Sequence, residues 1–381
     1  MNVPIPRRKA LQLLGIAGTS LTPVARSSAQ TGSAGALQRP QVLVQIADTS
    51  PAQIDVSKDF LTGSRAAWQD FNARGGLRGR QVQVLTLEID GQPASVRNAL
   101  EQARDNPACL ALVGTVADTA AAQVAALLKR QQPGLAHVAP WLQDGTEAGD
   151  ETFTVFARHD AQIAHALKSL SVIGVRELTV IYASEQIYAL NHSRLERTAA
   201  DLKLKLLGNH PTGADARALG QRLPVDASAL ILFLGGTPEL ASFTQDLEKQ
   251  ARGRYVIGLA DVNLQTLAQM GAARHTPVIV TQVVPVVTSA LPVVRAYRQV
   301  LSRLFDEPPT PQSLAGYLSA RYAQEVLAEI EGPLNRVTVL TAFQRRATVD
   351  LGGFSLGPSL ARSATPFVTQ SMLSSDGRVI G

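Results

Sequence analysis

Residues 109–130 read CLALVGTVADTAAAQVAALLKR, a strand-like segment followed at once by a helix-like segment. The apolar run Leu110–Gly114 predicts a buried strand, and the alanine-rich segment Thr119–Arg130 predicts a helix. Strands joined to helices by short connections build parallel sheets that helices cover. The stretch therefore predicts an α/β fold.

The same alternation extends in both directions from this stretch. Before it, Val42–Ala47 and Val82–Glu88 have the pattern of strands, and Phe60–Asn72 and Pro93–Asp105 have the pattern of helices. After it, a second series of helices and strands runs from about residue 160 to residue 284. Two series predict two sheets, and hence two doubly wound α/β domains.

The last hundred residues break the alternation. Leu291–Phe305 and Gln312–Ile330 predict two helices after the second sheet is complete, so we expect the chain to return to the first domain. The predicted boundaries are 41–158 plus 285–349 for lobe 1, and 159–284 plus 350–381 for lobe 2 with a closing segment.

The N-terminal residues have the layout of an export signal. Arg7-Arg8-Lys9 is followed by the mildly apolar stretch Ala10–Ala25, and Ser27-Ser28-Ala29 offers small residues for cleavage before Gln30. The paired arginines resemble a twin-arginine signal, and the general secretory route is the alternative. We therefore predict a signal over 1–29, cleaved near Ala29/Gln30, then a linker over 30–40.

The charge distribution argues against nucleic-acid binding, and the cysteine content excludes an intrachain disulfide. The net charge of +5 comes largely from the predicted signal, since removing its four basic residues leaves 32 Lys and Arg against 31 Asp and Glu. No basic stripe remains for nucleic acid. The single cysteine, Cys109, excludes an intrachain disulfide, and its apolar surroundings predict a buried thiol.

Motifs for catalysis and metal binding are absent from the sequence. The histidines lack the spacing of a metal-binding pair, and no G-x-S-x-G or G-x-x-x-x-G-K segment occurs. We predict no enzymatic activity, no metal and no cofactor. The histidines are His137, His159, His165, His192, His210 and His275.

Four segments in order resemble a known family. They are FNARGGLRGR at 71–80, ALVGT at 111–115, GYLSAR at 316–321, and DLGGF at 350–354 followed by SDGR at 375–378. The chain resembles type I periplasmic solute-binding proteins of the branched-chain amino-acid ABC transporter family, which are leucine/isoleucine/valine-binding-protein-like. The resemblance implies two α/β lobes joined by a three-crossing hinge, with the ligand between them. The crossings are expected near Ala157–Asp160, Gln282–Pro285 and Thr348–Gly352.

The resemblance also implies a function. We expect the substrate-binding component of an ABC transporter, which captures a small polar solute and passes it to a permease in the inner membrane.

 We expect it to act in the periplasm as a monomer. The solute is expected to be an amino acid or another carboxylate. The alternative is a ligand-sensing periplasmic protein that feeds a membrane receptor. A DNA-binding regulator would need an N-terminal helix-turn-helix, where this chain has the predicted export signal.

The ligand site is expected where strands end. In open parallel sheets, ligands bind beyond the carboxyl ends of the strands, where helix N-termini present unpaired N–H groups. The loops at these ends supply the candidate ligand-binding residues: Thr115, Asp118, Thr119, Trp141 and Gln143 from lobe 1, and Ser184, Tyr188, Thr237 and Asp261 from lobe 2.

Several candidates have a second interpretation. Asp118 and Thr119 could cap a helix, and Trp141 could pack between helices instead of lining the cleft. The resemblance implies an aromatic cover for the ligand at Tyr188. It also implies an acid that pairs with a ligand ammonium, but strict alignment puts Ala260 there and Asp261 one residue later. Asp261 is therefore either the ammonium partner or a helix cap, and solutes without an amine stay open.

Overall fold

Two α/β lobes make up the part of the chain that the structure describes. The computed structural model describes residues 41–144, 148–211, 220–221, 223–224, 227–250, 252–345, 348–357, 366–374 and 378–381. The predicted signal and linker, over 1–40, lie outside these residues. No helix among the described residues is both long and apolar enough to cross a membrane.

Lobe 1 is built on a five-stranded sheet. Its strands are β1 (Gln41–Asp48), β2 (Val82–Ile89), β3 (Cys109–Val113), β4 (Ala136–Val138) and β5 (Thr152–Phe153). The helices between them are α1 (Ile54–Ala73), α2 (Pro93–Asp105) and α3 (Asp118–Gln131). The strand order is β2-β1-β3-β4-β5, and every pair is parallel. Parallel neighbours need a crossover between them, and the helices supply it.

Lobe 2 repeats this plan with a second sheet. It contains α4 (His159–Val172), β6 (Glu177–Tyr182), α5 (Glu185–Asp201), β7 (Lys205–Pro211), β8 (Leu230–Leu234), α6 (Thr237–Leu247), β9 (Tyr255–Gly258), α7 (Leu264–Gln269) and β10 (Val278–Gln282). These five strands pair in parallel.

The final segments contribute to both lobes. They are α8 (Pro292–Leu304), α9 (Pro311–Ala328), α10 (Arg336–Gln344), β11 (Val349–Asp350), β12 (Ser355–Leu356), β13 (Thr369–Leu373) and β14 (Val379–Ile380). Helices α8 and α9 pack on α1, and α10 packs on β3 and β4. Strands β13 and β14 extend the second sheet, which has the order β14-β13-β10-β9-β8-β6-β7.

The burial pattern explains why each sheet sits between helices. Along β1, Leu43 and Ala47 join one buried cluster, whereas Val42, Val44 and Ile46 join the cluster on the opposite face. Successive side chains of a strand point to opposite faces, so a strand buried on both faces is apolar throughout. The prediction of two doubly wound α/β domains is confirmed.

Cys109 is buried, as its apolar surroundings in the sequence predict. Desolvation raises the pKa of its thiol to about 11. Leu351, Phe354 and Leu356 belong to the buried cluster of lobe 1, whereas β13 pairs with β10 of lobe 2. The three crossings stay predictions.

Helices α1 and α9 cross at two glycines. A Cβ atom on Gly316 would overlap the backbone carbonyl of Phe60, and one on Gly63 would overlap the carbonyl of Ser313. The absence of a side chain at both positions lets the two backbones touch. This crossing holds α9 against the rest of lobe 1.

We predict that Gly316→Ala destabilises the protein by about 1–3 kcal/mol, because the added methyl group must push the two helices apart. The measurement is the urea midpoint of unfolding at constant slope. Gly253→Ala is the matched control, since nothing lies within 4 Å of its added Cβ, and it should change stability by less than about 0.5 kcal/mol. Equal midpoints for the two variants would contradict the close crossing.

Candidate ligand-binding site

A cavity of about 210 Å³ lies where the two lobes meet. Lobe 1 contributes Gln53, Asp118, Thr119 and Asp144 to its wall, and lobe 2 contributes residues from α4 and from the loops after β6, β8 and β9. Two larger concavities, of about 450 and 330 Å³, lie between α9 and α10 and between α1 and α7. Only the smallest of the three lies at the carboxyl ends of strands from both sheets, where ligands of such folds bind.

Helix N-termini surround this cavity. Asp118 and Thr119 begin α3, Ser184 is the N-cap of α5, and Gly236 is the N-cap of α6. The side chain of Ser184 accepts a hydrogen bond from the Ile187 amide at 3.2 Å. Each helix start carries backbone N–H groups and a partial positive charge. These helix starts can therefore hold polar or anionic groups.

The carboxylate of Asp261 is held by two other side chains. Its Oδ1 accepts a hydrogen bond from Nε2 of Gln143 at 2.9 Å, and its Oδ2 lies 2.8 Å from Nε2 of His159. Gln143 belongs to lobe 1 and Asp261 to lobe 2, so this contact joins the lobes. Each oxygen of Asp261 thus has a partner within the protein.

Gln162 fixes the orientation of this group. Its Oε1 accepts hydrogen bonds from the Ala260 amide at 3.0 Å and from Oγ1 of Thr281 at 2.8 Å. Its Nε2 therefore faces the other way, where it donates to Oε1 of Gln143 and to the Ala157 carbonyl. Because the acceptor oxygen of Gln143 is used here, its amide nitrogen must point to Asp261.

His159 is the cation of the site. Burial alone would lower the pKa of its imidazole, but Asp261, Asp118 and Asp144 outweigh this effect and raise the pKa to about 9. At neutral pH the imidazole of His159 is therefore protonated. An unpaired charge at Asp261 would be costly in this half-buried position.

Asp118 is bound through one oxygen. Its Oδ1 accepts from the backbone amides of Gln143 at 2.5 Å and Asp144 at 3.2 Å. Burial raises the pKa of its carboxyl group, the nearby His159 opposes this shift, and Asp261 adds to it. The side chain joins the start of α3 to the loop after β4.

A second set of contacts ties the loop after β9 to lobe 1. The amide nitrogen of Gln312 donates to the carbonyls of Ala260 and Val262, each at 3.2 Å. The amide nitrogen of Asn263 donates to Oδ2 of Asp59 at 2.9 Å, while its own oxygen caps α7. The loop that carries Asp261 is thus held from both sides.

The structure brings together Asp118, Thr119, Ser184 and Asp261 on the cavity wall, with Gln143 directly behind Asp261. Trp141 lies in the core of lobe 1 instead, because its ring packs between Phe60 and Phe156. This is the packing interpretation of the tryptophan, not the cleft-lining one.

Three other candidates lie away from the wall. Thr115 is fully buried. Thr237 is buried as well, and its hydroxyl accepts from the Asn263 amide at 2.9 Å. The ring of Tyr188 stacks on His192 at 4.3 Å and meets the edge of Tyr182, so it packs on its own helix.

Sequence reasoning missed His159 as a site residue. It was placed only in the first crossing, where no motif marks it as the partner of an acid about a hundred residues later. The one feature that could have identified it is its position in the first predicted crossing, because the ligand and the acid of the loop at Asp261 were both expected between the lobes. Asp144 and Gln162 carry no comparable signal. Among the described residues, no group of histidine, cysteine and acidic side chains is arranged to hold a metal ion.

Comparison with solved structures shows the same fold at low sequence identity. An extracellular ligand-binding receptor from Verminephrobacter eiseniae has a TM-score of 0.81 at 20% identity, over 90% of this chain and 100% of that one. A fatty acid ABC transporter substrate-binding protein from Thermomonospora curvata has a TM-score of 0.77 at 16% identity, over 90% and 91%. The branched-chain amino acid transporter substrate-binding protein LivJ from Streptococcus pneumoniae, in complex with isoleucine, has a TM-score of 0.73 at 16% identity, over 89% and 97%.

The family is identified by a match between the sequence and a family model. No curated protein matches the chain. A family model described as periplasmic binding protein matches residues 41–372, which includes nearly everything after the predicted signal and linker. Together with the structural likeness to substrate-binding proteins of branched-chain amino acid transporters, this match confirms the resemblance seen in the sequence. The chain therefore belongs to the periplasmic binding protein family.

Proposed function

We propose that the protein is the substrate-binding component of an ABC transporter and captures a small polar solute, an amino acid or another carboxylate, between its lobes. The observation that carries the proposal is the cavity at the lobe junction, whose wall combines polar groups of both lobes. The protein would act in the periplasm as a monomer and deliver the solute to a permease in the inner membrane. Members of the family are transport proteins, and we propose no enzymatic activity here.

The size of the cavity supports a small solute. Its volume is about 210 Å³. Helix starts at Thr119, Ser184 and Gly236 can hold a carboxylate, as they hold other anions. Apolar side chains of Ile187, Leu190 and Leu234 complete the wall.

Closure of the lobes is the mechanism that follows from this geometry. A solute shifts the balance between open and closed forms only by binding one of them more tightly, so it must touch both lobes. Hydrogen bonds of the protein itself already join the lobes, at Gln143–Asp261 and at Asp59–Asn263. A solute that touches both lobes would add to these contacts, with bending at the crossings.

We predict that a small amino acid or organic acid raises the melting temperature of the mature protein, from Gln30 onward. A ligand that binds only the native state stabilises it by mass action, by about 2.7 kcal/mol at a hundredfold excess over Kd. The measurement is a thermal-shift screen of amino acids, aromatic acids, short organic acids and amides. Absence of any shift across all four classes would count against solute capture.

We predict that His159→Gln lowers stability by about 2 kcal/mol at pH 6, because it leaves Asp261 without its cation. The effect depends on pH. The pKa of His159 is raised by folding, so the stability from this pair is fully present below about pH 6.5 and is lost as pH rises through about 9. Urea unfolding of both proteins from pH 6 to pH 9.5 should show the difference shrinking, and parallel profiles would refute the ion pair.

A further inference from the structure

The loop after β9 has one side on the solute cavity and another side on lobe 1. Leu259 and Asp261 line the cavity. Ala260 and Val262 are fully buried and are not among the described residues that line it. Ala260 belongs instead to the buried cluster of lobe 1. The loop therefore joins the lobes through residues that do not form the cavity wall.

Two helices of lobe 1 reach this loop together. The amide nitrogen of Gln312, in the first turn of α9, donates to the carbonyls of Ala260 and Val262, each at 3.2 Å. Oδ2 of Asp59, on α1, accepts a hydrogen bond from the amide nitrogen of Asn263 at 2.9 Å. Helices α1 and α9 cross in direct backbone contact, so Asp59 and Gln312 move as one unit.

The side chain of Asn263 is oriented by its own lobe. Its Oδ1 accepts from the amides of Gln265 at 3.1 Å and Thr266 at 3.2 Å, as the N-cap of α7. Its backbone amide donates to the hydroxyl of Thr237 at 2.9 Å. Because capping uses the side-chain oxygen, the NH2 group is the part that remains for Asp59. Little conformational entropy is therefore lost when the lobes meet.

We propose that these three hydrogen bonds between the lobes form a latch that keeps the lobes in contact without a solute. The latch consists of Asp59 and Gln312 of lobe 1 and of Ala260, Val262 and Asn263 of lobe 2. Its bonds exist only while the two lobes touch, so they favour that form over one with the lobes apart.

The latch acts on solute affinity through the fraction of the protein whose lobes are in contact. A solute that touches both lobes binds only this form, so its apparent Kd is the intrinsic Kd divided by that fraction. None of the five latch residues is among the described residues that line the cavity. Weakening the latch therefore leaves the solute's own contacts in place. This consequence, unlike the latch itself, rests on the proposed function.

The first test measures the separation of the lobes in the empty protein. Small-angle X-ray scattering of the mature protein, from Gln30 onward, should give a larger radius of gyration for Asp59→Ala than for the wild type. Asp105→Ala, at an exposed residue of α2 in the same lobe, is the matched control and should scatter like the wild type. Equal radii for Asp59→Ala and the wild type would overturn the latch.

The second test exchanges the two partners. Asn263→Asp keeps an oxygen that can cap α7 but puts a carboxylate opposite Asp59, so it should separate the lobes at about pH 8. The double variant Asp59→Asn with Asn263→Asp again pairs an amide with a carboxylate and should return to the wild-type radius. Helix capping alone predicts no such rescue. A double variant as expanded as Asn263→Asp would refute the latch.

The third test is calorimetry with whichever of leucine, glutamate, benzoate and succinate gives the largest thermal shift. We expect Asp59→Ala to bind it about three- to tenfold more weakly, because a hydrogen bond to a charged group is lost, and the exchanged double variant to recover. Unchanged affinity in an Asp59→Ala variant with a larger radius would refute the link between latch and affinity. Failure of every compound to bind the wild type would count against the proposed function, whereas scattering would still decide the latch.

Discussion

The half-buried carboxylate of Asp261 imposes the constraint on which the junction of the lobes depends. A charge in this position must be compensated, and the protein does so with His159 from α4 and Gln143 from the loop after β4. Gln162 then determines which way the Gln143 amide faces. One acid thus organises side chains from both lobes into a single hydrogen-bonded group.

This internal compensation changes what the cleft has to offer a solute. In a site where the loop acid lacked a partner, the solute would supply the cation. Here His159 takes that place, so the cation that pairs with Asp261 is part of the protein. The fold is common to proteins that bind different solutes, so the difference between them lies in such side chains and not in the sheets.

The fold could be predicted from local sequence patterns, because each strand and each helix has its own pattern of apolar residues. The apolar strand at Cys109–Val113, buried on both faces, and the alanine-rich helix after it predict their structures without knowledge of distant residues. The rule that ligands bind at strand ends was sufficient to select Asp118, Thr119, Ser184 and Asp261. The same rule selected Trp141, whose ring lies in the core, because a loop position does not say which way a side chain points.

The sequence by itself determined the α/β class, the two series of strands, the burial of Cys109 and the loops that reach the cleft. These depend on periodicity and on short connections, which are local properties. Only the tertiary structure decided which acid is compensated, because His159 and Asp261 are about a hundred residues apart in the sequence and meet only when lobe 2 has folded. It also decided that α1 and α9 touch at Gly63 and Gly316, since a close approach of two backbones leaves no mark in either helix alone.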